Sequence, residues 1–118
     1  MPAGCGWHEG SVALLGDAVH GMLPFAAQGA GMAIEDAAVL AKALSETPLE
    51  SGSQVAAALR RYGKMRRARV ARVQHLARQQ GRIYHMRGAM ALARDLAIRA
   101  LGPQRMLARQ AWIYDWRL

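Results

Sequence analysis

One stretch holds residue types whose spacing suits chemistry: Gly16-Asp17-Ala18-Val19-His20, then Pro24, then Gln28-Gly29-Ala30-Gly31, then Glu35-Asp36. In physical terms it is a carboxylate at the end of a short apolar run, a proline-shaped loop, and a glycine-rich lead into a helix. Amides exposed at a helix N-terminus, with the dipole behind them, favour negative charge. Glycines there let backbone approach a ligand closely. The arrangement therefore predicts a polar, partly anionic ligand. Asp17 is expected to accept hydrogen bonds from ligand hydroxyls rather than to meet a phosphate, because two anions repel. His20 belongs to the side chain type whose charge changes near neutrality, which suits general acid–base work. Its place inside the loop motif favours a structural hydrogen-bonding role instead. Glu35 and Asp36 look like a carboxylate pair, but adjacent helix positions point in different directions. Compensation of the helix dipole is their expected role. Cys5 is a lone thiol with no neighbouring cation to activate it. It has no metal-site spacing with His8, His75 or His85, so no metal site is expected.

The elements that must position these residues follow from pattern. Ser11-Val12-Ala13-Leu14-Leu15, bounded by Gly10 and Gly16, reads as a short buried strand. Residues 16–31, punctuated by Gly16, Gly21, Pro24, Gly29 and Gly31, read as a constrained loop rather than a regular element. From about Gly29 to Leu44 the pattern is helical, with Ile34, Ala37, Ala38, Ala41 and Leu44 on one expected stripe, and Thr47-Pro48 ends it. Ser51 with Gln54 has capping-box spacing and opens a second helix. Val55, Leu59, Tyr62, Met65, Val70, Val73 and Leu76 carry that helix to about Gln80, with Gly81 as its stop. Gly63 within it reads as a weak point worth about 1 kcal/mol. A third helix is expected from about Met86 to Leu101, ended by Gly102-Pro103, and a short fourth segment from about Gln104 to Ala111. The expected class is mainly α, one short N-terminal strand followed by a loop and three to four helices. A lone strand needs partners for its backbone groups, so it is expected to pair with a second copy or with a sheet absent from this chain. The methionines read mostly as core filler, and Trp112, Tyr114 and Trp116 as anchors of the C-terminal tail to the helices.

Composition sets the limits. The 118 residues are 53% hydrophobic and 20% charged, one domain's worth and too apolar for a disordered chain. One cysteine excludes an internal disulfide. No apolar run reaches the 18 or so residues of a membrane span, and Met1–Gly6 does not open like a signal peptide. A reducing compartment, the cytoplasm, is the expectation. The net charge of +8 is uneven: residues 1–50 carry one basic side chain against six acidic ones, and residues 51–118 carry fifteen against two. The basic half could attract a polyanion, but the arginines are spaced like a solvated helix face whose stems cover apolar neighbours. A basic nucleic-acid-binding module and a catalytically silent, self-associating chain are the competing readings. Polyanion binding gives no reason for the 16–31 loop.

That loop carries a resemblance. Gly-Asp-Ala-x-His at 16–20, Pro24, Gln-Gly-Ala at 28–30 and Glu-Asp-Ala at 35–37 resemble the second FAD motif of the flavin-dependent aromatic hydroxylases, closest to salicylate hydroxylase-like members. The match is dense over residues 11–44. It continues more loosely through Arg60-Arg61-Tyr62, Arg66-Arg67 and Arg69 to Gln74 as far as Tyr114-Asp115-Trp116. The resemblance implies that Asp17 bonds the ribityl chain of FAD and that Pro24 lies beside the isoalloxazine where oxygen is activated. It implies too that the amides of Gly29, Ala30 and Gly31 face the flavin N1 and O2 edge, where reduced flavin is negative and a preorganised helix end stabilises it. NAD(P)H would be the reductant and a small aromatic ring the substrate. Ala27 and Gly21 are mild departures from the pattern. The larger one is the missing dinucleotide fingerprint: Gly4-Cys5-Gly6 has its third glycine one position late and no strand before it, and Gly29-Ala30-Gly31 has Ile34 where a small residue is needed. The expectation is a single partial domain, 1–118, from the C-terminal part of an α+β FAD-binding hydroxylase fold. Within it 11–46 form the strand–loop–helix of the second FAD motif and 51–118 a helical region. A homo-oligomer or a missing N-terminal FAD-binding region would complete it, with no membrane partner and weak or absent FAD binding by the chain alone.

Overall fold

A computed structural model describes residues 6–24 and 28–118. Cys5 lies outside the described residues, as does Ala27. The chain opens with an antiparallel hairpin, β1 (His8–Glu9) and β2 (Val12–Ala13), with His8 opposite Ala13 and Glu9 opposite Val12. Gly10, at φ 54°, takes the left-handed conformation of the turn, which costs glycine no steric clash. A bond from Leu14 N–H to the Trp7 carbonyl at 2.9 Å extends the ladder. The expected strand therefore does have a partner within the chain. It was invisible in sequence because His8-Glu9 carries no alternating apolar signal.

A single helical turn follows, α1 (Asp17–His20), where sequence predicts only loop. It is held by amides of Val19 and His20 donating to the Gly16 carbonyl, each at 3.0 Å. Gly16 has φ 59°, and a Cβ there would lie 3.1 Å from Ala33 Cβ. Both facts require glycine at the junction between hairpin and helix.

Helix α2 (Gly29–Ser45) starts and stops close to where the pattern places it. Thr47 ends it by donating its hydroxyl to the Ala43 carbonyl at 2.9 Å. The buried face, however, is Met32, Asp36, Val39 and Ala43, and Ile34 is exposed. The expected stripe was rotated because it leaned on alanines, which tolerate either face, and gave no weight to a carboxylate as a core residue.

Helix α3 (Gly52–Tyr84) is 33 residues, about 50 Å long. Ser51 caps it, accepting from Gln54 N–H, and Gln54 Oε1 accepts in return from Glu50 N–H at 3.0 Å. The helix continues through Gly81, which is buried, to a C-cap at His85. Its buried face is Leu59, Tyr62, Gly63, Arg66, Val70, Val73, Ala77 and Gly81, whereas Met65 is exposed. Gly63 is not a defect: a Cβ there would stand 3.0 Å from Trp7 Cβ, so the residue lets the indole lie on the helix. Helix α4 (Gly88–Tyr114) breaks at Gly102, φ 71°, followed by Pro103, so it is two helical segments as the sequence predicts.

The core joins Trp7, Val19, Met32, Val39, Ala43, Tyr62, Val70 and Val73, with Trp112 and Trp116 packed at its edge. Trp7 meets Tyr62 edge-on with ring centres 5.4 Å apart. The methionines divide, Met32 buried but Met65 and Met90 exposed. Met90, Leu92, Leu96 and Ile98 of α4 are also left uncovered. The chain measures 60 × 28 × 17 Å with a radius of gyration of 18.0 Å, against about 13–14 Å for a compact domain of this length.

Candidate functional site

The helix α2 begins without a side-chain cap at Gln28, and its first backbone bond is Met32 N–H to the Gln28 carbonyl at 2.9 Å. The amides of Gly29, Ala30 and Gly31 therefore precede the hydrogen-bonded ladder, and Ala30 and Gly31 are exposed. Asp17 is exposed as well, and its Oδ1 lies 3.7 Å from where a Cβ on Gly29 would stand. A carboxylate acceptor and a set of amide donors thus share one mouth. Absent side chains at Gly29 and Gly31 keep it open; a Cβ on Gly31 would meet Gln28 Oε1 at 3.6 Å. Pro24 is exposed, and the stretch before it rests on α3 through Gln74 Nε2 donating to the Gly21 carbonyl at 3.4 Å. The structure brings Asp17 to Gly29, the first residue of α2; no described contact joins Pro24 to them.

Behind this mouth lies a buried charge cluster that sequence reasoning missed. Asp36 has no exposed surface. Its Oδ2 accepts from the Gly16 amide at 3.1 Å and from His20 Nε2, and its Oδ1 accepts from Arg66 Nε at 2.6 Å. Arg66, 1% exposed, also donates to Glu35 Oε2 at 2.8 Å, and Arg69 donates to the same carboxylate. Burial alone would push the Asp36 carboxyl up. The hydrogen bonds from His20, Arg66 and the Gly16 amide, with the attraction of His20, outweigh it and hold the carboxyl below the ordinary range. The ionised carboxylate is acceptor-only, so His20 presents Nε2–H to it. His20 is the structural hydrogen-bonding residue that its loop position predicts.

The cluster corrects two expectations. Glu35 and Asp36 do not serve the helix dipole: Asp36 is engaged by Arg66 and His20, and Glu35 by Arg66 and Arg69. Their charge is thereby neutralised, so the positive end of α2 remains available, with Asp17 as the carboxylate at its mouth. Nor is Arg66 a solvated face residue, since it occupies the buried stripe of α3 between Gly63 and Val70. The missed signal was a charged residue at a stripe position on each of two packing helices: Asp36 four after Met32, and Arg66 four after Tyr62.

No group of His, Cys, Asp and Glu able to hold a metal occurs among the described residues. Tyr62, its hydroxyl donating to the Leu14 carbonyl at 3.1 Å, has its phenol pushed up, first by burial and then by the Asp36 charge, with Arg66 opposing. Trp112 and Trp116 anchor the tail as expected, lying under the guanidinium groups of Arg72, Arg69 and Arg66, the closest being Arg72 over Trp112 at 3.8 Å. No described helix is long and apolar enough to cross a membrane.

The helix α2 thus starts uncapped at a glycine-lined mouth beside the Asp17 carboxylate of α1, and comparison with known proteins gives the family. The FAD binding domain family matches residues 5–77. The chain is similar to a 3-hydroxybenzoate 6-hydroxylase of Polaromonas naphthalenivorans (strain CJ2), 37% identical over 112 residues, covering 95% of this chain and 27% of that protein. It is 41% identical over 112 residues to a 3-amino-4-hydroxybenzoate 2-monooxygenase of Streptomyces platensis, covering 94% and 26%. It is 36% identical over 110 residues to a salicylate hydroxylase of Pseudomonas putida, covering 93% and 24%. The chain belongs to the FAD binding domain family. It spans about a quarter of the length of these curated relatives. No solved structure matches it.

Proposed function

We propose that this chain forms the ribityl- and isoalloxazine-facing part of the FAD site in an NAD(P)H-using hydroxylase of small aromatic carboxylates, the substrate class named in its relatives. The carrying observation is the Asp17 carboxylate standing beside the uncapped start of α2. Bound FAD would supply the redox and oxygen chemistry, as cofactors do. The chain's own residues do the holding. Asp17 accepts hydrogen bonds from the ribityl hydroxyls, and the amides of Gly29, Ala30 and Gly31 donate to the electron-rich edge of the ring. Glycine at 29 and 31 leaves room for that approach, and Pro24 shapes the loop beside it. The helix end is preorganised and costs little to orient when charge develops. Residues 11–46 are the flavin-facing unit in this reading, and 51–118 its helical support, in a cytoplasmic enzyme.

The chain alone contains no dinucleotide fingerprint to hold the pyrophosphate. Purified by itself it is expected to retain no FAD through gel filtration and to show no turnover; saturable binding at micromolar FAD would overturn that expectation. Titration with FAD to millimolar concentration, followed by amide resonances, tests the site itself. Shifts concentrated at Asp17 and Gly29–Gly31, lost in Asp17→Ala, are the expected result. Shifts confined to the exposed arginines of α3 and α4 would favour the polyanion-binding alternative and sink the flavin reading.

A further inference from the structure

The end of α4 returns to the mouth of α2. Gln28, the residue before the first turn, donates from Nε2 to the Tyr114 hydroxyl at 3.3 Å. Its Oε1 lies toward Gly31, 3.6 Å from where a Cβ there would stand. The Gln28 side chain therefore lies beside Gly31 at the edge of the mouth, tied at its Nε2 end to the C-terminal turn, and makes no capping bond to its own helix. That turn is firmly held from beneath. Arg69 donates to the Ile113 carbonyl at 2.8 Å and to the Trp112 carbonyl at 3.4 Å while engaging Glu35 of α2. Ile113 is buried, yet Tyr114 next to it is 70% exposed. Packing does not account for an exposed phenol reaching across to Gln28.

We propose that Tyr114 is a positioning residue for the cofactor-facing mouth of α2, acting through Gln28. A side-chain oxygen just ahead of a helix readily accepts from the amides of the first turn. Unrestrained, Gln28 Oε1 would fold onto the amides of Ala30 and Gly31 and occupy the donors that the flavin edge requires. Tyr114 holds the Nε2 end and so keeps the carboxamide from capping its own helix. The inference rests on the flavin-facing reading of Gly29–Gly31 for its purpose, though not for the restraint itself.

Tyr114→Phe removes one oxygen from an exposed ring, so the melting temperature should stay within about 2 °C. In spectra of the purified chain, the Gln28 carboxamide resonances should move, and exchange of the Ala30 and Gly31 amides should slow about two- to fivefold as the self-cap forms. In a Gln28→Ala background the same substitution should do nothing to those amides. With FAD at millimolar concentration, shifts at 29–31 should weaken in Tyr114→Phe and return in the double variant. Unchanged Gln28 resonances and unchanged exchange at 30 and 31 would overturn the positioning role. If FAD moves none of these amides in the unaltered chain, the flavin reading fails, while the Gln28 response still decides the restraint.

Discussion

Asp36→Asn places a neutral group of the same shape at the centre of the buried cluster. The carboxylate there receives three donors, the Gly16 amide, His20 Nε2 and Arg66 Nε. A carboxamide offers one oxygen and turns its NH2 toward at least one of those donors. Arg66 then keeps Glu35 as its ionic partner. Removing one member of a buried pair costs about 3–5 kcal/mol, and the surviving Glu35 contact trims this to roughly 2–4 kcal/mol. With a urea slope of about 1.5–2 kcal/mol/M, the unfolding midpoint should fall by about 1–2.5 M. The loss must also depend on pH. The native Asp36 carboxyl lies below its ordinary value, so in the acid range the unfolded chain binds more protons than the native one. Its stabilisation is complete above the unfolded value of about 3.9 and disappears as pH falls through the native value. Urea midpoints of the unaltered chain and the variant, at pH 7 and at successive steps below pH 4, measure this. The gap should be wide at pH 7 and narrow toward acid. A gap under about 0.5 kcal/mol at pH 7, the range of an ordinary surface change, or one that stays constant into acid, would refute the charge-cluster argument.

Gly63→Ala gains about 1 kcal/mol of helix propensity but drives a methyl to 3.0 Å from Trp7 Cβ. Overpacking of about 1–3 kcal/mol should win, giving net destabilisation with a shifted tryptophan emission; a more stable variant with unchanged emission would disprove the close approach. Tyr62→Phe leaves the Leu14 carbonyl without its 3.1 Å donor and should cost about 1 kcal/mol in denaturant titration. Because the native Tyr62 phenol is raised, its contribution is complete below the unfolded value of about 10 and is lost as pH rises toward the native one. The unaltered chain should therefore lose stability in alkali more steeply than the Phe variant. The uncovered Met90, Leu92, Leu96 and Ile98 lead us to expect self-association of the isolated chain. Leu96→Glu should shift it toward monomer in sedimentation velocity, and a mass independent of concentration in both proteins would rule the association out.

What sequence disclosed and what it hid divide along one physical line. Capping, glycine and proline signals are local, so the start of α2, the Ser51 cap of α3 and the break at Gly102-Pro103 were legible. The mouth of the site is local too: Asp17 and Gly29 are twelve residues apart and adjoin. The cluster behind it is not local. Asp36 and Arg66 are separated by 30 residues, and each looked like an ordinary surface charge on its own helix. An apolar stripe on α3 puts Met65 inward and Arg66 outward, whereas the structure has Met65 exposed and Arg66 buried, one position of register that hides the pair. The same bias rotated α2 toward Ile34. The two carboxylates at 35 and 36 show what this costs functionally. Taken as dipole partners they would have spent the positive end of α2 on the chain's own side chains. Engaged instead by Arg66 and Arg69, they fix α2 to α3 and fasten Gly16, the residue before Asp17, while that helix end keeps no side-chain cap, as the proposed flavin contact requires. A site that needs an unsatisfied helix terminus must anchor the helix from elsewhere, and here the anchoring charges lie within two turns of the terminus they leave free.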